Sequence, residues 1–173
     1  MELKECIRRI PNFPKPGVLF YDISTLIRDA EAWQKTINQL TILVQKFKPD
    51  LLIGIESRGF LIAAPLALSL GIGFQMIRKE GKLPGVTNKL SYDLEYGTDT
   101  IELQEDAIKG GERVVLVDDL LATGGTALAA IDLINMFENK NIVGAGFIIN
   151  LPDLNGYKLL KKRGIKIHSL MEF

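Results

Sequence analysis

The sequence predicts an α/β fold: a mainly parallel central sheet flanked by helices. Apolar runs recur along the chain with helical segments between them, which is the alternation typical of this class. The runs are continuously apolar, so each strand is expected to be buried on both faces, as in a parallel sheet. Two regions, residues 11–25 and 78–103, do not fit this alternation.

The individual elements follow from local patterns. Short β-branched or aliphatic runs predict strands, and apolar residues at helical spacing, with Gly71 and Gly164 as stops, predict helices. The predicted strands are 51–55, 72–77, 114–117, 142–150 and 165–170, and the predicted helices are 29–47, 59–71, 127–137 and 157–164.

The two irregular regions are predicted to cover a ligand site. Residues 11–25 hold three prolines, too irregular for a core element, and predict a small N-terminal hood over about residues 1–30. Residues 78–103 are long and polar, and their apolar residues alternate about Gly97, which predicts a β-hairpin acting as a flexible lid. The whole chain, 1–173, is otherwise predicted to be one domain.

Composition narrows the classes of partner. Lys and Arg total 21 and Asp and Glu total 21, so neither nucleic acid nor a membrane surface is an expected partner. Cys6 is the single cysteine, and no run of 18 uncharged apolar residues occurs. A cytoplasmic location is therefore expected.

The segment "VVLVDDLLATGGTALAAI" (114–131) carries the clearest functional pattern. It places a glycine turn between a strand and a helix, where open α/β sheets bind ligands. Gly124 and Gly125 allow several N–H groups to converge on one anion, the helix start adds its positive end, and Thr123 and Thr126 supply hydroxyls. The pattern predicts a phosphate site; without a Walker lysine it disfavours a nucleotide kinase.

Two acids stand immediately before this turn. The carboxylates of Asp118 and Asp119 accept hydrogen bonds, so they suit the vicinal hydroxyls of a ribose, or a hydrated Mg²⁺. A sugar with vicinal hydroxyls and a 5′-phosphate satisfies both halves of the segment. The alternative is structural: one Asp caps the helix and the glycines only turn the chain.

The string "VVLVDDLLATGGT" resembles the phosphoribosyl-diphosphate-binding signature of the type I phosphoribosyltransferases, in the form found in their adenine-specific members. Five further segments resemble segments of that family and occur in the same order along the chain: "FPKPGVLFYDIS", "GIESRGFLIAAPLA", "IRKEGKLPG", "YDLEYGTD" and "FIINL". The resemblance implies transfer of a 5-phosphoribosyl group from phosphoribosyl diphosphate to adenine, giving AMP and diphosphate. It also implies a homodimer and a Mg²⁺ that is held mainly by the diphosphate and ribose of the substrate and contacts Asp118 and Asp119 through water.

The resemblance also assigns roles to residues. For the donor, it implies that the turn holds the 5′-phosphate, that the acid pair holds the ribose hydroxyls, and that basic and hydroxyl side chains hold the diphosphate, some of them in the neighbouring subunit's site. The turn positions are Ala122, Thr123, Gly124, Gly125 and Thr126, and the acid pair is Asp118 and Asp119. The diphosphate positions are Ser57, Arg58, Arg78, Lys79, Lys82 and Tyr96.

For the base, the resemblance implies that Phe20 and Leu151 contact opposite faces of adenine. The backbone groups of Leu19 and Tyr21 would read the base edge, although Tyr21 stands where the family pattern has Arg. Glu95 would be the catalytic acid/base near the purine N7. Two alternatives remain: a phosphoribosyltransferase for another purine base, and a non-catalytic sensor of phosphoribosyl diphosphate.

Overall fold

A computed structural model describes residues 2–94 and 97–173 of the chain. Its strands are β1 (Arg8–Pro11), β2 (Leu19–Asp22), β3 (Leu51–Ile55), β4 (Gly73–Lys79), β5 (Thr87–Asp93), β6 (Thr98–Gln104), β7 (Arg113–Leu121), β8 (Asn141–Asn150) and β9 (Ile167–Glu172). Its α-helices are α1 (Ser24–Arg28), α2 (Ala30–Gln45), α3 (Arg58–Leu70), α4 (Gly125–Ile134) and α5 (Gly156–Lys162). The chain divides into two compact units, one ending at Gln39 and the other running from Leu40 to Phe173.

The N-terminal unit contains a two-stranded antiparallel sheet. β1 and β2 pair in the register Arg8↔Asp22 to Pro11↔Leu19. The buried Asp22 carboxylate accepts hydrogen bonds from the Arg8 guanidinium and, at 2.9 Å, from the Ser24 backbone N–H. These contacts fix the end of β2 where the chain enters α1.

Protonation of Asp22 is expected to loosen this unit. Hydrogen bonds from Ser24 and Arg8 lower the pKa of Asp22 to about 2 from its ordinary value of 3.8. Because the folded pKa lies below the unfolded one, the stabilisation is complete above the unfolded value and is lost as pH falls towards 2. Fluorescence of the single tryptophan, Trp33, should report this loss during acid titration, and Asp22→Asn should remove that phase. An unchanged acid titration in Asp22→Asn would contradict the assignment.

The C-terminal unit contains a seven-stranded sheet in the order β5-β6-β4-β3-β7-β8-β9. The five strands from β4 to β9 in this order pair in parallel, and the β5–β6 hairpin extends the sheet antiparallel to β4. The predicted fold class and all five predicted core strands are therefore confirmed. All five residues of β3 are buried, as expected for a central parallel strand.

Helices pack on the sheet through apolar side chains and small residues. The ring of Phe47, just after α2, lies against β8 so closely that a Cβ on Gly144 would be 2.5 Å from it. Helix α3 ends at Gly71, which has a left-handed conformation with a φ of 68°, as the predicted glycine stop requires. In the described part of the chain, no helix is long and apolar enough to cross a membrane.

The structure departs from the sequence predictions in two places, one in each unit. Strand β7 runs to Leu121, so Asp118 and Asp119 lie within the strand rather than in the turn after it. Strands β1 and β2 were not predicted, because both are short and flank the proline-rich segment. The predicted hairpin is confirmed: Tyr92 pairs with Asp99, and the Leu94 N–H donates to the Gly97 carbonyl at 2.9 Å.

Candidate active site

The carboxyl ends of β3 and β7 open onto a shared cavity. The two strands are parallel neighbours, so the loops that follow them emerge side by side. The cavity has a volume of about 270 Å³. It is lined by Ile55, Glu56, Ser57, Arg58, Asp118, Asp119, Leu120, Leu121, Ala122, Thr123, Gly124, Gly125, Thr126 and Ala127. Two predicted groups, the acid–turn segment and the Ser57–Arg58 loop, therefore meet here.

The glycine turn is fixed by backbone packing. Gly124 has a φ of +86°, and a Cβ there would lie 2.9 Å from the Cα of Gly156 at the start of α5. The Gly156 N–H donates to the carbonyl of Ala122 at 2.9 Å, which ties the turn to α5. Gly125 has open space where its Cβ would be, with the nearest atom, Thr123 Oγ1, at 4.0 Å. Gly124 is thus the glycine whose conformation and packing the turn requires.

The two acids are adjacent and contact each other, with Asp119 buried and Asp118 half-buried. Asp119 Oδ2 lies 2.8 Å from the Nε of Arg58, and the Asp119 N–H donates to Asp118 Oδ1 at 2.9 Å. Burial raises the pKa of Asp118 well above its ordinary value, and the Asp119 carboxylate adds to that rise. Burial also raises the pKa of Asp119, although Arg58 opposes the shift. Gly59 leaves room for this pair, since a Cβ there would lie 3.1 Å from Asp118 Oδ1.

A carboxylate that sequence reasoning missed, Glu56, organises the predicted diphosphate ligands. It accepts hydrogen bonds from Lys82 Nζ at 2.6 Å, from the Lys79 N–H at 2.8 Å and from Arg78 Nε at 3.3 Å. Burial alone would raise its pKa, but these donors outweigh burial and lower the pKa to about 2. The signal was present in the sequence, because Glu56 directly precedes the Ser57–Arg58 loop at the end of a buried strand.

The β5–β6 hairpin contacts the same region. Lys79 Nζ pairs with Asp99 Oδ2 of β6 at 3.1 Å, and the Tyr92 hydroxyl lies 3.5 Å from Thr126 Oγ1 on the turn. Arg78, Lys79 and Lys82 do not line the cavity of the acid pair. They are connected to it through Glu56.

The predicted base-contacting residues are divided between the two units. Leu19, Phe20 and Tyr21 lie in β2 of the N-terminal unit, and the ring of Phe13 stands edge-on to Phe20 with centroids 5.1 Å apart. Leu151 follows β8 in the C-terminal unit, where its N–H donates to the Leu121 carbonyl at 2.9 Å. Glu95 and Tyr96, the predicted catalytic acid and its neighbour, lie outside the described residues.

Among the described residues, no group of three or more His, Cys, Asp or Glu side chains could hold a metal ion. Three carboxylates line the cavity, and that of Glu56 already accepts hydrogen bonds from the Arg78–Lys82 segment, which leaves the acid pair as the carboxylates for Mg²⁺. Asp119 Oδ2 is buried, and no aligned hydrogen-bond donor reaches it within the described chain, although Arg58 balances its charge. Carboxylate oxygens fit a metal-bound water or a sugar hydroxyl, and the pair of Asp118 and Asp119 fits an ion held mainly by substrate oxygens.

Comparison with known proteins assigns the family. A family model described as a phosphoribosyl transferase domain matches residues 20–166. The chain belongs to this phosphoribosyltransferase family. The match includes the strand–turn–helix segment that forms the cavity and the loop that carries Glu56 and Arg58, so the resemblance found in the sequence is confirmed at the level of the family.

Individual relatives are similar over nearly the whole chain. An adenine phosphoribosyltransferase of Rhodospirillum centenum is 60% identical over 156 residues, which cover 90% of this chain and 91% of the relative. The crystal structure of the enzyme of that name from Thermoanaerobacter pseudethanolicus has 45% identity and a TM-score of 0.93, covering 99% of this chain and 98% of the other. The Saccharomyces cerevisiae structure, with adenine and an iminoaltritol bisphosphate, has 39% identity and a TM-score of 0.91, covering 98% and 96%.

Proposed function

We propose that the chain transfers the 5-phosphoribosyl group of phosphoribosyl diphosphate to adenine, forming AMP and diphosphate in purine salvage. The observation that carries this is the succession of the acid pair and the Gly124 turn along one wall of one cavity. Relatives at 60% and 56% identity bear the name of this adenine enzyme, which favours adenine over another base. A purely sensing role is not favoured by these relatives.

The donor is proposed to lie along the cavity from the turn to the loop after β3. Its 5′-phosphate accepts hydrogen bonds from the N–H groups between Ala122 and Thr126, at the positive end of α4. Its ribose hydroxyls donate to Asp118 and Asp119. Its diphosphate lies towards Ser57 and Arg58, and towards the basic side chains that Glu56 holds together. Mg²⁺, when bound, neutralises charge on the diphosphate leaving group.

The remaining roles concern the base and exclusion of water. Phe20 and Leu151 are proposed to contact the two faces of adenine, with the backbone of Leu19 and Tyr21 at its edge. Glu95 is the proposed acid/base, and Tyr96 covers the diphosphate. Displacement at the anomeric carbon needs no protein nucleophile, so the protein's tasks are to position the reactants and to exclude water.

A homodimer in the cytoplasm is the proposed state of the enzyme. Apolar side chains of α3 and β4 are exposed in the C-terminal unit, with Leu68 85% and Leu61 49% exposed and Met76 37% exposed. Side chains of this kind are what a subunit interface covers. A neighbouring subunit could then receive some of the diphosphate ligands Arg78, Lys79 and Lys82.

A competition assay tests the assignment of the base. Adenine, guanine, hypoxanthine and xanthine are offered together with labelled phosphoribosyl diphosphate and Mg²⁺, and the labelled nucleotides are separated. AMP should be the main product. A preference for any other base would contradict the adenine assignment, and the absence of any labelled nucleotide would contradict transfer itself.

Removal of the Arg58 charge should move the acidic limb of the pH–rate profile. Arg58 opposes the rise that burial causes in the pKa of Asp118 and Asp119, and ribose hydroxyls need ionised acceptors there. Arg58→Gln should therefore move the acidic limb of kcat/KM for the donor to higher pH. Arg163→Gln removes a remote cation, paired with Asp132, and is the matched control. If the acidic limb of the pH–rate profile stayed in place in Arg58→Gln, donor binding would not depend on the ion pair between Arg58 and Asp119.

The hairpin from Arg78 to Leu103 is proposed to close over bound substrate. The contact between Tyr92 and Thr126 places the hairpin beside the phosphate turn. A ligand bound in the turn can therefore change how often the hairpin opens. Amide hydrogen exchange across residues 82–98 should slow when AMP binds. The same experiment on residues 113–117 of β7 gives the internal reference, and equal effects in both segments would argue against a lid.

A further inference from the structure

A second cavity lies at the opposite end of the sheet from the candidate active site. Its volume is about 480 Å³, within the range of small-molecule sites. It is lined by Lys46, Phe47, Arg113, Ile142, Val143, Gly164, Lys166 and His168. Arg113 begins β7 and Ile142 stands at the start of β8, whereas the candidate active site lies at the carboxyl ends of these strands. Arg113 and Asp118, which line the two cavities, are five residues apart along β7, or about 17 Å.

The charged groups of this cavity are cationic. Lys46, Arg113 and Lys166 line it together with His168, and none of the Asp and Glu residues within 2–94 and 97–173 does. Among the residues that the structure describes, neither Lys46 nor Lys166 forms an ion pair. The carboxylate that contacts Arg113, Asp50, accepts its backbone N–H at 2.9 Å and is not part of the lining. In a chain with equal numbers of acidic and basic residues, this local excess of positive charge suits a polyvalent anion.

The guanidinium of Arg113 is held in place. Its Nε donates to the Lys48 carbonyl at 2.8 Å, and its Nη2 donates to the Phe47 carbonyl at 2.7 Å. These bonds fix the planar group at the edge of the cavity and connect it to the segment that carries Lys46 and Phe47. A fixed guanidinium loses little side-chain entropy when it meets a phosphate.

The rest of the lining is apolar and aromatic. The rings of Phe47 and His168 lie 4.8 Å apart at 33°, and Phe47 is fixed against Gly144. Ile142 and Val143 form the adjoining wall. Phe47 is itself buried and supports His168 from behind, while His168, Ile142 and Val143 are part-exposed. A flat ring can pack on these part-exposed side chains, while phosphates joined to it through a sugar reach the cations at the rim.

We propose that this cavity binds a nucleoside triphosphate, with its base against His168 and the Ile142–Val143 wall and its phosphates on Lys46, Arg113 and Lys166. Three cations offset most of the negative charge of a triphosphate, and the volume accommodates a ring and a sugar. The site is separate from the phosphoribosyl-transfer site, so it can be occupied while the active site turns over. The proposal does not depend on which base the enzyme uses.

The single histidine of the chain provides a direct readout. Burial and the nearby Lys46 charge lower the pKa of His168, so phosphates that offset that charge should raise it. Protein purified without a polyhistidine tag gives one set of histidine ring signals in a carbon–proton correlation spectrum. ATP or CTP should shift these signals saturably and raise the pH midpoint of their titration. Two nucleotides are used because CTP carries no purine for the active site.

Matched double variants separate the proposed site from general electrostatics. Lys46→Ala with Lys166→Ala should weaken nucleotide binding at least about tenfold, since each lost cation removes a charge-assisted contact. Lys109→Ala with Lys158→Ala removes the same charge from exposed positions outside the cavity and should leave binding unchanged. Both double variants should retain the wild-type rate of AMP formation in the absence of added ATP or CTP.

Three results would overturn the proposal. The first is the absence of any histidine shift with either nucleotide at millimolar concentration. The second is an equal shift in the Lys46→Ala, Lys166→Ala protein, which would place the nucleotide elsewhere. The third is binding of inorganic tripolyphosphate as tightly as ATP and CTP, which would show that the cavity takes a polyphosphate chain without a base.

Discussion

Replacement of Glu95 by glutamine is expected to lower kcat for AMP formation by about 10² to 10⁴-fold, the usual contribution of a proton-transferring side chain. Glutamine keeps the shape and much of the hydrogen bonding of glutamate but cannot exchange a proton near neutral pH. The KM for adenine should stay within about tenfold of wild type, because the loss then falls on the transition state rather than on binding. Steady-state kinetics at saturating donor measure both constants.

A second glutamate provides the control for this variant. Glu105, exposed just after the hairpin strand β6, undergoes the same chemical change in Glu105→Gln and should keep wild-type kinetics. Single-turnover measurements are needed as well, since slow product release would mask a change in the chemical step. Should Glu95→Gln keep a near-native single-turnover rate while the adenine KM rises steeply, Glu95 is a binding residue and the acid/base assignment is wrong.

Local patterns were sufficient to predict the sheet and the position of the turn. Val114–Val117 is apolar at every position, and buried parallel strands have that composition whatever surrounds them. Gly124 and Gly125 could be expected at a strand-to-helix turn, because glycine adopts backbone conformations that side chains disfavour. These inferences use neighbours in sequence, which is why they did not require the folded structure.

Contacts between distant segments could not be predicted in the same way. Glu56 receives its hydrogen bonds from Arg78, Lys79 and Lys82, more than twenty residues further along the chain. The ion pair between Arg58 and Asp119 depends on the parallel pairing of β3 with β7. Sequence alone supplied the chemical types of these side chains, but their partners follow from the order of strands in the sheet.

The two glycines of the turn also could not be distinguished by sequence. They are adjacent and chemically identical, yet Gly124 alone of the pair has a positive φ and meets another backbone. Its partner, Gly156, belongs to α5, about thirty residues away in sequence, and carries no local signal of the contact. The structure therefore identifies Gly124 as the position at which a substitution should be most disruptive.

Gly124→Ala is expected to destabilise the protein and to weaken AMP binding by about 100-fold or more. A φ of +86° costs an L-residue about 1–2 kcal/mol. The added Cβ, 2.9 Å from the Gly156 Cα, also forces the turn away from α5. Displacement of the turn removes N–H groups from the phosphate, and the loss of two such charge-assisted bonds corresponds to about 100-fold in affinity. Urea unfolding and calorimetry with AMP measure the two effects.

Gly111→Ala separates backbone strain from the contact with Gly156. Gly111 has the same φ of +86°, but a Cβ there would meet nothing within 4 Å. Gly111→Ala should therefore lower the free energy of unfolding by the backbone strain alone and leave AMP affinity unchanged. The differences between the two variants in unfolding free energy and in AMP affinity should then measure the displacement of the turn. Equal stabilities and equal AMP affinities in the two variants would mean that contact with Gly156 does not hold the turn, and that the phosphate site is not preorganised in this way.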